Sequence, residues 1–391
     1  MQHRKVAAWS AIVAVFAVLV GAQSAQAAIV GNTSLVLNHA SDWVVSLDVT
    51  PDDRYVFVTN YTDGSVSRFD STDSSIVNTA VCAHPYGVSI SPDGDTAVVA
   101  CSGNNALVFV DTQTLALAQA PGGNTPIGVT YNHAGTKIYS TEEMADNFRE
   151  ISPSNHFSAT TVSVAGSGAQ NPFYIAISPD DTKAYVSNIT GDNVSEIDLG
   201  NHTVTRTFTG FNHPLGLAVS ADGNSLWVAN SSPSANTVSL VDLDSGAISQ
   251  TVTVGMGPRE VALSPDGTQL AVANGAESTI SLVDTTTHLV TATQNVGDPA
   301  TSSNGGIAGS WGIKYSHDGS KLYVANEYNG SLQTLTLDPA LAPEPQNTAD
   351  GGSVEKLANT GAPQWLALAP LGAILVAAGA LTLLALRRRT R

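Results

Sequence analysis

A tetrad of turn residues recurs seven times, and nothing else in the chain restricts its fold as much. The copies are Thr50-Pro51-Asp52-Asp53, Ser91-Pro92-Asp93-Gly94, Asn132-His133-Ala134-Gly135, Ser178-Pro179-Asp180-Asp181, Ser220-Ala221-Asp222-Gly223, Ser264-Pro265-Asp266-Gly267 and Ser316-His317-Asp318-Gly319. Their spacings are 41, 41, 46, 42, 44 and 52 residues. Each copy follows one short apolar run and precedes another, which predicts a hairpin turn between two strands. The second strand ends alike in most copies, as in Val58-Thr59-Asn60, Val186-Ser187-Asn188, Val228-Ala229-Asn230, Val272-Ala273-Asn274 and Val324-Ala325-Asn326. A third strand follows, as at Val238 to Asp242 and Ile280 to Asp284, then a Thr- and Val-rich fourth, as at Thr251 to Val254. Four strands per repeat predict an all-β, seven-bladed β-propeller over residues 29–338. The last copy has only three strands, ending at Ser331 to Leu337. Thr33 to Leu37 supplies the fourth from the other end, so an N-terminal strand closes the ring and removes an open sheet edge.

These strings resemble the YVTN family of β-propeller repeats, found in bacterial and archaeal surface proteins and in lactonase-like propellers. The resemblance covers about 300 residues and implies a fold, while propellers host unrelated activities.

The two ends read as addresses. Residues 1–27 have a basic start (Arg4, Lys5), an apolar run from Val6 to Val20 and a small-x-small cleavage site at Ala25-Gln26-Ala27, the pattern of a secretory signal peptide. Residues 365–386 carry no charge and are long enough for a transmembrane helix; the basic tail 387–391 then stays on the cytoplasmic side. Residues 339–356 are rich in Pro and Gly and read as an extended stalk. Between stalk and span stands Leu357-Ala358-Asn359-Thr360-Gly361. Motif, span and tail in this order resemble a sortase cell-wall sorting signal of the Leu-Ala-x-Thr-Gly type. The resemblance implies cleavage after Thr360, an amide link to peptidoglycan, and a single-pass membrane precursor of a wall-anchored outer-surface protein.

Charge excludes one partner class. The stretch from Ala28 to Thr360 holds 10 basic and 33 acidic residues, which repels phosphate backbones and argues against nucleic acid. Two cysteines without a Cys-x-x-Cys give no zinc-ribbon or haem-attachment pattern. Cys82 and Cys101 fall at ends of strands in adjacent blades, on one face, and are expected to form a disulfide worth about 3 kcal/mol in the chain-entropy model.

Candidate site residues come from the strand before each tetrad, which is expected to line the central channel. Positions one and three before the tetrad are apolar in all seven copies and are expected to pack between blades. The alternate row is mostly small. Two positions back stand Asp48, Ser89, Thr130, Ala176, Ala218, Ala262 and Lys314; four back stand Ser46, Gly87, Gly128, Tyr174, Gly216, Glu260 and Gly312. Asp48 and Lys314 become neighbours when the ring closes and are expected to pair there. Glu260, with Arg259 before it and Trp311 in the adjacent blade, is the candidate ligand contact; a local Arg259–Glu260 contact is the plainer reading. No metal and no cofactor are expected. His84 and His213 sit across the ring without a third ligand, Asp146 and Asp192 serve turns, and Glu142-Glu143 reads as solvated surface. The longest loops, 165–171, 231–236 and 296–310, fall on one face, which suits binding. The function expected is a non-enzymatic, wall-displayed binding protein, adhesin-like or surface-layer-like, for a protein or glycan ligand. The alternative is an extracellular lactonase-like hydrolase.

Overall fold

The computed structural model describes residues 29–37, 43–153, 158–164, 170–296 and 310–338. The signal peptide, stalk, sorting motif, membrane span and tail expected from the sequence lie outside these residues. Among the described residues no helix is long and apolar enough to cross a membrane.

Alternating apolar residues in short strands, punctuated by the tetrads, give seven antiparallel sheets of four strands each. Six follow chain order. The seventh joins β26 (Ser310–Tyr315), β27 (Lys321–Asn326) and β28 (Ser331–Leu337) to β1 (Ile29–Val36). β1 pairs antiparallel with β28 in a register that sets Val36 opposite Ser331 and Ile29 opposite Leu337. The core lies between blades. Val88 and Ile90 of the second blade pack with Tyr55 and Phe57 of the first. Tyr323 and Leu332 of the last blade pack with Val44, Leu47 and Val49 of the first, across the seam where the ring closes. Each such buried side chain contributes about 1.5–3 kcal/mol.

The turns divide the ring into two faces. Tetrads and third-to-fourth-strand turns make one, the tetrad face. Second-to-third-strand loops and inter-blade crossings make the other, the loop face. At the end of β28 the Leu337 N–H donates to the Ser320 carbonyl beside the seventh tetrad at 2.8 Å. The chain therefore leaves the ring on the tetrad face.

Tetrad chemistry explains the recurring Ser/Thr-x-Asp. In the second blade the Ser91 hydroxyl donates to Asp93 at 2.5 Å and accepts the Thr96 N–H at 3.0 Å, while Asp93 accepts the Asp95 N–H at 3.1 Å. The Ser91 hydroxyl holds the Asp93 carboxyl below its ordinary value, as Thr50 does for Asp52 and Ser220 for Asp222.

Neighbouring tetrads also recognise one another. Where one copy has Pro in second place, the next has Gly in fourth. A β-carbon at Gly94, Gly135, Gly223 or Gly319 would lie 3.2, 3.3, 3.6 or 3.6 Å from Pro51, Pro92, Pro179 or Pro265 respectively. Where one copy has His, the next has Asp. The Asp181 carboxylate accepts the His133 and Ala134 N–H groups at 3.0 and 3.1 Å. Asp53 accepts those of His317 and Asp318 at 2.6 and 2.9 Å, clasping the last blade to the first. Proline has no N–H to offer and glycine no carboxylate to receive one, so the two pairings are alternatives. Asp53→Gly is expected to cost about 1 kcal/mol by removing two backbone hydrogen bonds across the seam, whose exposed donors then turn to water. The double variant Asp53→Gly with His317→Pro is expected to recover most of it, as read by denaturant unfolding; equal losses in single and double variants would refute the pairing.

Cys82 and Cys101 are joined, with Cα atoms 6.0 Å apart, on the loop face between the first two blades.

Candidate functional site

The inner strands form two rows, but not with simple alternation. In each blade the pairing of first and second strands shifts register near its loop-face end, as between Pro85 and Val88. Residues four and five before the tetrad are therefore both displaced from the regular pattern. The fifth-back residues Tyr86, Ile127, Phe173, Leu215 and Trp311 converge on the loop-face end of the channel. Tyr86 meets Phe173 edge-on at 5.2 Å and Trp311 at 6.1 Å, joining rings of the second, fourth and seventh blades. They plug that mouth.

The fourth-back glycines do not simply line open space, as expected from the sequence. A β-carbon on Gly128 would fall 2.1 Å from the Phe173 carbonyl oxygen, and one on Gly87 or Gly216 would fall 2.6 Å from the carbonyl of Ile127 or Arg259. Glycine stands there because adjacent inner strands touch through their backbones. Behind this contact the Thr141 hydroxyl donates to the Phe173 carbonyl at 2.7 Å and accepts the Gly128 N–H at 2.9 Å.

Beneath the plug lies a cavity of about 90 Å³ lined in part by Asp48, Ser89, Thr130, Tyr174, Glu260 and Lys314. It has room for a few waters. Lys314 Nζ lies 3.4 Å from Asp48 Oδ1 across the seam. Asp48 Oδ2 also accepts the Ile90 N–H at 2.8 Å, satisfying a donor on the unpaired edge of the neighbouring inner strand. Lys314 sits deep in the channel, yet 48% of its side-chain surface faces channel solvent, so the pair is not a dry one. Asp48 raises the Lys314 ammonium above its ordinary value.

Glu260 does not pair with Arg259, contrary to the sequence expectation of a local contact. Its Oε2 accepts the Ile313 N–H of the next blade at 3.1 Å. Burial pushes its carboxyl from 4.5 up to about 8, against the opposing pull of Lys314. Arg259 turns the other way. Its Nη1 lies 2.7 Å from Glu327 Oε2, and its guanidinium lies 3.8 Å from the centre of the Trp311 ring. Gly275 leaves space for its passage, since a β-carbon there would meet Arg259 Nε at 2.3 Å. Arg259, Glu327 and Trp311 thus tie the sixth blade to the seventh beside the plug. The two side chains part at the register shift between Pro258 and Val261, Glu260 entering the channel cavity and Arg259 turning to the seventh blade.

Glu260 gives the ring a pH response. A carboxyl whose folded pKa lies above its unfolded one stabilises at low pH and loses that contribution as pH rises, here between 4.5 and about 8. Glu260→Gln is expected to match the wild type at pH 5. At pH 8.5 it should exceed it by about 2 kcal/mol, a figure discounted for the channel water that reaches the group. Denaturant midpoints across that range check this; parallel curves would contradict it.

The loop-face candidates are held by backbone. The residues before the first-strand prolines adopt left-handed φ, as at His84 (54°), Thr125 (56°), Asn171 (50°) and His213 (51°). Loop side chains secure three of these: Asn105 accepts the Thr125 N–H at 2.8 Å, Asp146 that of Asn171 at 3.0 Å, and Asp192 that of His213 at 2.7 Å. Glu142 corrects the sequence reading of a solvated pair. It is buried against Arg149, 3.1 Å away, while Glu143 is half-buried with its carboxyl raised by burial. Among the described residues no three His, Cys, Asp or Glu side chains gather as a metal site.

One loop-face feature was not singled out from the sequence. Trp43, just before the first inner strand, stacks on Tyr61 with centroids 6.0 Å apart, and Tyr61 stacks on His84 at 4.7 Å. Backbone fixes the stack: Tyr61 N–H donates to the Trp43 carbonyl at 2.7 Å, and Trp43 N–H to the Thr62 hydroxyl at 3.1 Å. Trp43 remains 41% exposed. Next to the stack runs an open groove of about 510 Å³, lined by Thr62, Asp63, Gly64, Cys82, Ala83 and His84 among others.

Comparison with known proteins agrees with the ring. The sequence model of the YNCE-like β-propeller family matches residues 2–307. Solved structures include 1645 matching chains, so the likeness speaks for architecture and not activity. One is hydrazine synthase of Kuenenia stuttgartiensis, with a TM-score of 0.64 and 16% identity, covering 77% of this chain and 97% of that one. No curated protein matches the sequence.

Proposed function

Given that the chain belongs to the YNCE-like β-propeller family, we propose that it is a secreted, cell-wall-anchored protein that binds a ligand on its loop face. One observation carries this reading. The described chain ends its last strand on the tetrad face, at Leu337, and the aromatic groove lies on the opposite face of the ring. The tether is the stalk 339–356, followed by the sortase motif Leu357-Ala358-Asn359-Thr360-Gly361, the span 365–386 and the basic tail. Sortase joins Thr360 to peptidoglycan, and the membrane holds the precursor until then. Muralytic digestion of the cell wall followed by mass spectrometry tests this. A C-terminal peptide ending at Thr360 and carrying a peptidoglycan stem is the expected result. Intact chain ending at Arg391, found only in membranes, would refute wall anchoring.

A lactonase-like hydrolase has one observation in its favour. Glu260 is held as the neutral acid near neutral pH, the state a general acid needs. Against it stand the small cavity and the aromatic plug. Lactone hydrolysis that is lost in Glu260→Gln would favour the enzyme; no turnover by the wild type would remove it.

A further inference from the structure

We propose that the loop-face groove beside the Trp43–Tyr61–His84 stack takes a Lys- or Arg-bearing segment of a partner protein. This deepens the binding function above and rests on it. Charge is the first reason. Of the ten basic residues of the body, nine are described. Arg54, Lys137, Lys183 and Lys321 flank the tetrads, and Lys314 is in the channel. Arg68 and Arg206 reach turn carbonyls on the tetrad face, those of Gln113 and Leu243. Only Arg149 and Arg259 belong to the loop face, with side chains 13% and 10% exposed and each paired with a glutamate. Exposed Asp63, Asp192 and Glu277 remain on that face. Residues 38–42, 165–169 and 297–309 contain no Lys or Arg. A face with acids exposed and its bases neutralised steers cations towards itself.

The groove gives that field an address. Aromatic ring faces attract ammonium and guanidinium groups, and Trp is the strongest of them. Trp43 at one side of the stack is 41% exposed, and His84 at the other is part of the groove wall. Asp63 sits on the rim, its carboxylate fixed by the Ser65 N–H and hydroxyl at 3.0 and 2.7 Å. Cys82 in the lining is pinned through its bond to Cys101, so the groove is formed before a ligand arrives. A volume near 510 Å³ admits one long side chain with part of its backbone.

The test is calorimetric titration of the full chain with an octa-arginine peptide at physiological salt, against octa-glutamate and a neutral Gly-Ser peptide. Only the arginine peptide is expected to bind. Trp43→Ala should weaken it about tenfold and Asp63→Asn about threefold. Removing two exposed charges from the tetrad face, Asp95→Asn with Asp244→Asn, should change affinity less than about twofold. Equal weakening by both sets would overturn the groove in favour of diffuse attraction, and no binding by the wild type would overturn the proposal outright. Trp43-dependent binding of an uncharged oligosaccharide instead would overturn the cationic partner while leaving the binding function standing. Wall anchoring is read separately at Thr360 and fails or holds independently.

Discussion

Replacing Arg259 with Ala is expected to destabilise the protein by about 3–5 kcal/mol at pH 8, the cost of leaving a buried carboxylate alone. Glu327 is 3% exposed and its carboxyl is already raised by burial, with Arg259 opposing the rise. Without the guanidinium the carboxyl can escape only by taking a proton. The damage should therefore shrink as pH falls towards 5 and grow as pH rises. Truncation also leaves an opening under the Trp311 ring, against which the guanidinium is stacked. The double variant Arg259→Met with Glu327→Gln removes both charges and keeps most of the volume, and should recover the greater part of the loss. Denaturant unfolding of the three variants at pH 5 and 8 decides. A pH-independent loss in Arg259→Ala would mean that packing and not the stranded charge is responsible.

Gly128→Ala is expected to cost about 3 kcal/mol, the upper range for an overpacked core. Its β-carbon would meet the Phe173 carbonyl oxygen, a backbone atom that cannot rotate away, and the Thr141 hydroxyl at 3.0 Å. Relief requires the third and fourth blades to part, which breaks the hydrogen bond from the Thr141 hydroxyl to the Phe173 carbonyl. The same row supplies the control. At Gly312 the nearest atoms to a β-carbon lie at 3.3 Å, so Gly312→Ala should cost less than about 1 kcal/mol. Similar midpoints for the two variants would show that the blades are not held at backbone contact.

The ring was legible because a turn must be written in local residues. Seven turn tetrads, six of them Ser/Thr-x-Asp and one Asn132-His133-Ala134-Gly135, give the blade count, and the orphan strand at Thr33 gives the closure that β1 makes. The channel was legible only in part. Alternation places Asp48, Lys314 and Glu260 inwards, and the structure finds them around one cavity. The register shift at each first strand breaks alternation at the loop-face end, so the plug of Tyr86, Phe173 and Trp311 could not be read from period two. Arg259 and Glu327 are 68 residues apart and belong to different blades, a separation no local pattern encodes. The Pro–Gly and His–Asp alternatives were written in the tetrads themselves. They make sense only once consecutive copies are known to touch, as Asp53 does His317 around the whole ring.

The position of β1 has a mechanical side. β28 is the last strand before the tail, and it lies between β27 and β1, matched to them over six and seven residue pairs. Tension drawn through Leu337 runs along β28 and bears on both ladders together. Those bonds share the load in shear instead of parting singly from an edge. Without β1, β28 would be that edge. If the chain is anchored through its C-terminal side as proposed above, the N-terminal strand that closes the circle is also a latch on the loaded strand, and raises the barrier that sets the rate of forced unfolding.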